Sequence, residues 1–374
     1  MVDPEAIAVE FCELVRIDSL SGREGAAMAV VEAKLRALGL EPVRDDAGAA
    51  IEGETGNLIA KLPATASGLP TVMANAHVDT VQPGEGIEPT RTGDTIRSAG
   101  DTILGADDKA GVVVILAALR QLLADPFPHG EVQVVFTIAE EVGLWGARYL
   151  DYSLVSPDYV FVFDGGQEVG ELTVAAPSAK KMTWTVHGVA AHAGVHPERG
   201  VNAIQAASQA IAAMNMGRLD EETTANIGRL EGGLARNIVP DRCEAWGEAR
   251  SHDEAKLATQ VEHMSACFRQ AVAAHAGASV EEEVESSYQR FRLSAEDEVV
   301  RVAMQAAISL GATPQLKVGG GGSDANVFNE RGIPAVICAC GGYDAHGTGE
   351  TVSVSAMART AEWLVEMVRV SGQR

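Results

Sequence analysis

Short apolar runs alternate with longer amphipathic segments up to about residue 165. Four of the runs have the length and composition of buried strands: 57–62, 71–76, 132–139 and 159–163. Three of the longer segments have the spacing of helices: 6–15, 24–38 and 110–123. Ser21 is predicted to cap the second of these helices and Gly39 to end it. Strands that alternate with helices in this way predict a largely parallel sheet covered by helices on both faces.

The pattern changes after about residue 178, where apolar and polar positions begin to alternate as they do in antiparallel strands. Four strands are predicted in this part of the chain: 180–187, 224–230, 242–251 and 279–288. Two helices are predicted between them: 201–214 and 253–276. These elements predict a compact two-layer α+β domain with a four-stranded sheet and two helices.

The helix–strand pattern returns after about residue 291. Helices are predicted at 295–310 and 323–331, strands at 315–318 and 335–339, and a final helix follows. The chain is therefore predicted to leave one domain, build a smaller one and come back. We expect a discontinuous α/β domain of residues 1–178 and 291–374, with a mixed, largely parallel sheet sandwiched by helices, and an inserted α+β domain of residues 179–290.

Composition and charge exclude several classes of protein. The chain has 374 residues, a formal net charge of -23 and a hydrophobic fraction of 46%. This charge argues against a surface for nucleic acid or for an anionic membrane, and no apolar stretch reaches membrane-spanning length. The 5 cysteines form no C-x-x-C motif, and residues 1–5 lack the basic and apolar regions of a signal peptide. We expect a cytoplasmic protein with reduced thiols.

Two adjacent carboxylates, Glu140 and Glu141, follow the predicted strand 132–139. Negative charges side by side at the end of a buried strand repel each other, so a compensating group is needed, and a bound cation is the simplest one. One of the two side chains can bind a metal while the other takes a proton from a metal-bound water.

Further metal-binding side chains lie at the ends of other predicted elements. His77 and Asp79 follow one strand, Asp164 ends another, Asp107 precedes a helix, and His346 lies in a glycine-rich loop. Each has a simpler interpretation as a structural histidine, a helix cap or a turn residue. Ligands bind beyond the carboxyl ends of parallel strands, so the joint placement favours a metal-dependent hydrolase.

The segments that carry these residues resemble the M20 family of dinuclear zinc peptidases over nearly the whole chain. The matching segments are AHVDT (76–80), LGADDKAG (104–111), AEEVG (139–143), FDGG (163–166), HGVAAHAG (187–194), NIVPD (237–241), GGGSDANVFNERGIPAV (320–336) and HGTGE (346–350). LGADDKAG is most similar to the branch typified by peptidase T, a tripeptide aminopeptidase. The resemblance implies a zinc-peptidase type of α/β fold with an inserted lid domain that forms a homodimer.

The resemblance also implies a role for each candidate ligand. Asp107 is expected to bridge two Zn²⁺ ions, for which Co²⁺ or Mn²⁺ can substitute. His77 and Asp164 are expected to complete one metal site, and Glu141 and His346 the other. Glu140 is the expected general base on a metal-bridging water. The resemblance further implies that Asp79 orients His77 and that the peptide bond between Asp107 and Asp108 is cis.

Substrate-binding roles follow from the same resemblance. His192 matches a histidine that reaches the partner subunit's active site and polarises the scissile carbonyl, whereas the motif without the resemblance favours a loop histidine at an interface. Asn237 and Arg250 match positions that bind a substrate carboxylate or its neighbouring oxygens, although a solvent-facing strand arginine is the simpler interpretation. Residues 319–324 lack the lysine of a P-loop, and the resemblance implies that Gly321, Gly322 and Ser323 line the substrate pocket.

The sequence therefore predicts an enzyme that hydrolyses amide bonds of short peptides. An aminopeptidase similar to peptidase T is the favoured hypothesis. A carboxypeptidase or an N-acyl-amino-acid amidohydrolase uses the same metal chemistry and stays open. A non-catalytic metal-binding or scaffold protein is disfavoured, because every ligand and base position is present in the sequence.

Overall fold

The computed structural model describes residues 2–373. Within that range the chain forms nine α-helices: α1 Pro4–Val15, α2 Gly25–Ala37, α3 Ala106–Ala124, α4 Trp145–Tyr149, α5 Ala203–Ala212, α6 Glu254–Ala273, α7 Glu298–Ser309, α8 Asp324–Glu330 and α9 Val354–Ser371. None of these helices is both long and apolar enough to cross a membrane.

The same residues form twenty strands: β1 Val43–Arg44, β2 Leu58–Leu62, β3 Val72–His77, β4 Pro89–Thr92, β5 Thr95–Ser98, β6 Val132–Thr137, β7 Tyr159–Gly165, β8 Glu171–Ala176, β9 Ser178–His187, β10 Ala191–His192, β11 Gly217–Arg218, β12 Thr223–Gly232, β13 Ile238–Val239, β14 Arg242–Ser251, β15 Ser279–Tyr288, β16 Phe291–Arg292, β17 Gln315–Val318, β18 Ala335–Ala339, β19 Gly342–Tyr343 and β20 Thr351–Ser353. The predicted strands fall within two residues of observed ones.

The chain divides into two compact units. The first contains residues 1–175, 291–319 and 323–374, and the second contains residues 176–290 and 320–322. The short segment 320–322 in the second unit was not expected, because its sequence continues directly from β17 of the first unit. The role of the second unit as a lid or dimerisation domain stays a prediction.

The first unit is built around a nine-stranded mixed sheet with the order β1-β2-β6-β3-β7-β18-β8-β16, in which β17 pairs with β8. Its central strands β6, β3, β7 and β18 run parallel to one another. Their apolar side chains are buried almost throughout, as expected for strands covered on both faces. The fold class predicted from the sequence, a largely parallel mixed sheet with helices, is confirmed.

Two groups of helices cover this sheet. Helix α9 contacts α1, α3 and α7, α1 also contacts α3, and α3 packs on β3 and β7. Helices α4 and α8 contact each other, and α8 packs on β7 and β18. Trp363 of α9 is fully buried and donates its indole N–H to the carbonyl of Ala303 at 2.9 Å, so this large side chain leaves no polar group unpaired. Because these helices pack directly on β3, β7 and β18, they hold the ends of the parallel strands in place.

The second unit contains an antiparallel sheet with the order β11-β12-β14-β9-β15. Four of its strands are ten residues long and match the four predicted ones, while the two-residue strand Gly217–Arg218 adds a short edge. Trp184 projects from one face of the sheet and stacks on Phe268 of α6 with ring centroids 4.6 Å apart. This packing gives the second unit a core of its own.

The beginning of α2 differs from the prediction. Gly39 follows the helix with a φ of 80°, as expected for the residue that ends it. The predicted cap is wrong, because the helix begins at Gly25 and its N-cap is Glu24. The Ser21 hydroxyl instead donates to the carboxylate of Asp79 at 2.6 Å. A contact with a residue distant in sequence has replaced the local one.

Candidate active site

The carboxyl ends of the parallel strands gather the predicted ligands at one edge of the main sheet. His77 is the last residue of β3, and Asp164 is the next-to-last residue of β7. Glu140 and Glu141 lie just beyond β6, while His346 lies in the loop between β19 and β20. Since β3, β6 and β7 are parallel neighbours, their ends open onto the same space.

Asp107 lies between the two candidate histidines. Its Oδ1 is 3.0 Å from Nε2 of His77, and its Oδ2 is 3.3 Å from Nε2 of His346. The two oxygens of one carboxylate thus face two different imidazoles. This is the arrangement that a carboxylate bridging two ions requires.

The remaining candidate ligands extend this arrangement on either side. Oδ1 of Asp164 is 3.9 Å from Nε2 of His77, and Oε1 of Glu141 is 2.9 Å from Nε2 of His346. Among residues 2–373, donor atoms within 4.8 Å of one another form three groups that could each hold an ion: His77, Asp107 and Asp164; Asp107, Glu141 and His346; and His77, Glu140 and Glu141. Two of the groups coincide with the two predicted metal sites, and the third includes the predicted base.

The acids of this cluster are crowded and poorly solvated. Burial raises the pKa of Asp164 and of Glu140 well above their ordinary values, and nearby carboxylates add to the shift. Burial opposes protonation of His77, but its contacts with Asp107 and Asp79 raise its pKa well above the ordinary value. These groups therefore favour bound protons more than the free side chains do, as expected for a cluster of carboxylates with little compensating positive charge.

The donor set fits divalent transition metals. Imidazole nitrogen and carboxylate oxygen are the ligands that Zn²⁺, Co²⁺ and Mn²⁺ accept, and all the donors point into one space. The ion pairs of Asp107, Glu141 and Asp164 are made with His77 and His346, both of which can bind metal once deprotonated. The cluster thus has the chemistry and the charge of a metal centre.

Metal binding should release protons from this cluster. The hydrogen bonds of His346 to Asp107 and Glu141 raise the pKa of His346 to about 10, so the metal-free protein holds this proton at neutral pH. A metal must displace it, so affinity should increase with pH below about 10, by about tenfold per pH unit for each proton released. Titration calorimetry in buffers of different ionisation enthalpy measures the number released.

A matched histidine outside the cluster serves as the control for proton release. His196 is exposed and lies 3.1 Å from Glu198 in the second unit, so His196→Asn should leave proton release unchanged. His346→Asn should reduce it. Metal affinity that is independent of pH between 6 and 9 would contradict the assignment of His346 as a ligand.

Asp79 connects the metal cluster to the chain that carries Glu140 and Glu141. Its carboxylate accepts the backbone N–H of Glu140 at 3.0 Å and that of Glu141 at 3.2 Å. Nδ1 of His77 lies 3.0 Å from the Asp79 carbonyl oxygen and 3.4 Å from the carboxylate. Asp79 is therefore placed to orient His77, and it holds the Glu140–Glu141 backbone as well, which the sequence did not indicate.

Two further buried acids support the site without having been predicted to do so. The carboxylate of Asp108 accepts the N–H of His77 at 3.2 Å, and that of Glu24 accepts the N–H of Ala139 at 3.0 Å. Burial, with the charge of Asp79, raises the pKa of Glu24 to about 7. The Asp107–Asp108 pair was a signal for the first acid, whereas Glu24 resembles any acid in the first turn of a helix.

The backbone around the cluster has unusual conformations. The Asp107–Asp108 peptide bond is cis, as the resemblance implied. Ala139 has a φ of 48° and His346 a φ of 67°, in a region that residues other than glycine adopt rarely. Such residues concentrate at functional sites, where the surrounding structure holds them in place. Here one precedes Glu140 and the other is itself a candidate ligand.

The predicted substrate-binding residues mostly belong to the second unit. His192 and Asn237 are exposed and lie close together, since β10 pairs with β13 and the carbonyl of Asn237 accepts the N–H of Ala193. Arg250 binds Glu248 through two hydrogen bonds of 3.0 Å and lies beside Gly321. The structure therefore gives Arg250 a partner within its own sheet.

Packing explains why one position of the glycine-rich loop 319–322 is glycine. A Cβ on Gly322 would lie 2.4 Å from the ring of Tyr288, so close packing excludes any larger side chain there. Ser323 is the N-cap of α8 in the first unit and lies beside Asp164, whose pKa its hydrogen bond lowers against the larger effect of burial. Of the predicted substrate-binding residues, Ser323 joins the metal cluster.

A cavity of about 300 Å³ opens beside the cluster within the first unit. Asp107 and Asp164 lie at its wall, together with Glu171, Lys317 and Tyr343. Its volume is suited to a small-molecule group or one amino-acid residue. The metal cluster therefore faces an open space.

The model of peptidase family M20/M25/M40 matches residues 73–370, most of the chain. The chain belongs to this family. M20 membership makes it a metal-dependent peptide hydrolase. The family predicted from the sequence motifs is thereby confirmed.

Solved M20 structures and a curated relative match along the full chain. Aminopeptidase PepT from Bacillus cereus is 42% identical, with a TM-score of 0.85 over 99% of both chains. A tripeptidase from Staphylococcus aureus is 36% identical, with a TM-score of 0.91 over 100% of both chains. Protein YqjE of Bacillus subtilis is 40% identical over 98% of this chain and 99% of its own. This M20 chain is therefore similar to the branch typified by peptidase T.

Proposed function

We propose that this M20 peptidase is a two-metal aminopeptidase that hydrolyses short peptides. His77, Asp107 and Asp164 would hold one ion, and Asp107, Glu141 and His346 the other, with zinc as the expected metal and cobalt or manganese as substitutes. The observation that carries this proposal is the position of Asp107, whose two oxygens face two imidazoles. A single metal site would need only one of those contacts.

Bound metal supplies Lewis-acid chemistry, lowering the pKa of water and polarising the scissile carbonyl. Glu140 then acts as the general base that accepts a proton from the attacking water and later donates it to the leaving amine. Its burial and its raised pKa suit this role, because a carboxylate of raised pKa is a stronger base toward the proton of the attacking water. Asp79 orients His77 and fixes the backbone of Glu140.

The preference for a free amino terminus is proposed from similarity. The two solved structures above are an aminopeptidase and a tripeptidase, at 42% and 36% identity over nearly the whole chain. We propose that the substrate is a short peptide cleaved at its amino end. A carboxypeptidase or an acyl-amino-acid amidohydrolase would use the same ligands, so substrate chemistry has to decide between them.

Most of the proposed substrate-binding residues belong to the second unit. We propose that Asn237, Arg250, Gly321, Gly322 and Ser323 contact the peptide. His192 would polarise the carbonyl in the active site of a partner subunit, which requires a homodimer formed through this unit. We propose a cytoplasmic location for the enzyme, in line with the charge and cysteine content of the chain.

One matrix of metals and substrates tests the proposal. The metal-free protein is loaded with Zn²⁺, Co²⁺ or Mn²⁺ and assayed on a free tripeptide, the same tripeptide with a blocked amino terminus, a blocked dipeptide and an acyl-amino acid. We expect two ions per chain and cleavage of the free tripeptide alone. Cleavage of the blocked substrates instead would favour the carboxypeptidase or amidohydrolase. Two bound ions with no cleavage in the panel would favour a non-catalytic metal-binding protein.

A further inference from the structure

Glu350 is a buried carboxylate that binds the backbone of the loop leading to Asp107. Its Oε2 accepts the N–H of Leu104 and that of Gly105, each at 2.7 Å, and its Oε1 accepts the N–H of Asp107 at 2.9 Å. The residue is 2% exposed. Three short hydrogen bonds to one carboxylate, away from water, make a rigid connection.

The loop around Asp107 is shaped to receive this carboxylate. Gly105 has a φ of 72°, which turns successive N–H groups toward one point, as in the backbone concavities that bind anions. A side chain on Gly105 would also approach Thr80 at 3.2 Å. The chain thus supplies a built anion site, and a carboxylate of its own fills it.

Glu350 comes from the same turn as His346. The carbonyl of Gly347 accepts the backbone N–H of Glu350 at 3.1 Å, and β20 begins directly after Glu350 and pairs with β5. The carboxylate therefore ties a loop that carries one candidate ligand to the loop that carries the shared ligand. These two loops are far apart in sequence, and His346 and Asp107 are in contact through their side chains as well.

We propose that Glu350 is a positioning residue that sets the place of Asp107 relative to His346, and so the separation of the two ions. This inference rests on the proposed two-metal function, which gives Asp107 its bridging role. Glu350 lies at the wall of the cavity, but both of its carboxylate oxygens accept backbone N–H groups. It acts through the backbone of Asp107.

Glu350→Gln removes this action while keeping the shape of the side chain. The single amide oxygen can still accept the N–H groups of Leu104 and Gly105. The –NH₂ group then faces the N–H of Asp107, so two donors oppose each other and that hydrogen bond is lost. Loss of residues that hold a metal ligand in place typically weakens metal binding about 10- to 100-fold. Because Asp107 is shared, both ions should be affected.

Asp45→Asn is the matched control. Asp45 is also a buried carboxylate that binds loop backbone in the first unit, accepting the N–H groups of Ala47 at 3.1 Å, Asn57 at 2.8 Å and Asp151 at 3.1 Å. It contacts none of the candidate ligands through these bonds. The two variants should lose comparable stability, but only Glu350→Gln should lose metal affinity.

The test measures metal binding to the full-length protein without substrate. Zn²⁺ affinity is determined by competition with a chromophoric chelator, and the visible absorption of the Co²⁺-loaded protein reports coordination geometry. We expect Glu350→Gln to weaken both ions about 10- to 100-fold and to change the Co²⁺ spectrum, with Asp45→Asn close to wild type. Wild-type affinity and spectrum in Glu350→Gln, or an equal loss in Asp45→Asn, would overturn the proposal.

A second variant keeps the test decisive if Glu350→Gln does not fold. Glu350→Asp retains the charge on a side chain one methylene shorter, and it should again lose more metal affinity than Asp45→Asn. The two proposals fail separately. A wild-type protein that binds two ions but cleaves no peptide would refute the proposed function and leave the role of Glu350 intact.

Discussion

Glu140→Gln is expected to lower kcat by about 10²- to 10⁴-fold while leaving two metal ions bound, because general acid–base catalysis contributes rate factors of that size. Glutamine keeps the volume of the side chain and one oxygen, but it can neither take the proton of the attacking water nor pass it to the leaving amine. KM for a free tripeptide should change little, since the lost interaction belongs to proton transfer.

The surroundings of Glu140 explain why the variant should retain metal. Its backbone N–H is held by Asp79, and this bond is unchanged when only the side chain is altered. Burial with nearby acids raises the pKa of Glu140, so replacing it by a neutral side chain removes a repulsive group from the cluster. The fold around Glu141 and His77 should therefore stay as it is.

Glu141→Gln is the paired variant that separates the two neighbours. Metal content by elemental analysis should fall in Glu141→Gln and stay at two ions in Glu140→Gln. Donor atoms of Glu140 also lie within 4.8 Å of those of His77 and Glu141, so the reverse assignment is a real alternative. Loss of an ion from Glu140→Gln would make that residue a ligand and sink its role as the base.

The main sheet, and the edge of it at which the candidate ligands lie, were predictable because both depend on the pattern of apolar and polar residues along short segments. Apolar runs such as 159–163 are long enough to be buried strands, and the ends of parallel strands meet at one edge whatever the order of the strands. The candidate ligands could therefore be placed together before any contact was known. The ten-residue strands of the second unit were predicted for a similar reason, since their alternation marks one buried face.

The residues that hold the ligands in place could not be found in this way. Ser21 had the pattern of a helix cap, but its hydroxyl binds Asp79, and Glu24 reaches the N–H of Ala139. These partners are separated from one another by long stretches of chain. Side chains of this kind carry no periodic signal, because their identity is fixed by tertiary contacts. Glu350 is a further residue of this kind. It lies in the HGTGE motif (346–350), but nothing in that motif predicts that its carboxylate binds the backbone of the Asp107 loop.

Asp107→Asn should weaken binding of both metal ions and abolish measurable turnover, whereas Asp164→Asn should weaken only one ion. Each oxygen of Asp107 faces a different histidine, while Asp164 forms an ion pair with one histidine, His77. Asparagine retains one oxygen donor but has no charge, so it cannot replace a bridging carboxylate. The loss should exceed the about 10- to 100-fold effect typical of residues that only position a ligand.

Stepwise titration with Co²⁺ measures the two affinities separately for each variant. In Asp164→Asn we expect one binding step near its wild-type affinity and one weakened step, and in Asp107→Asn no step near the wild-type value. Both variants remove one negative charge from the same cluster, so loss of charge alone predicts the same effect for both. A difference between them is expected only if Asp107 binds both ions and Asp164 binds one. If Asp107→Asn retained one ion at full affinity, Asp107 would be a ligand of a single site, and the second ion would need a different bridging group.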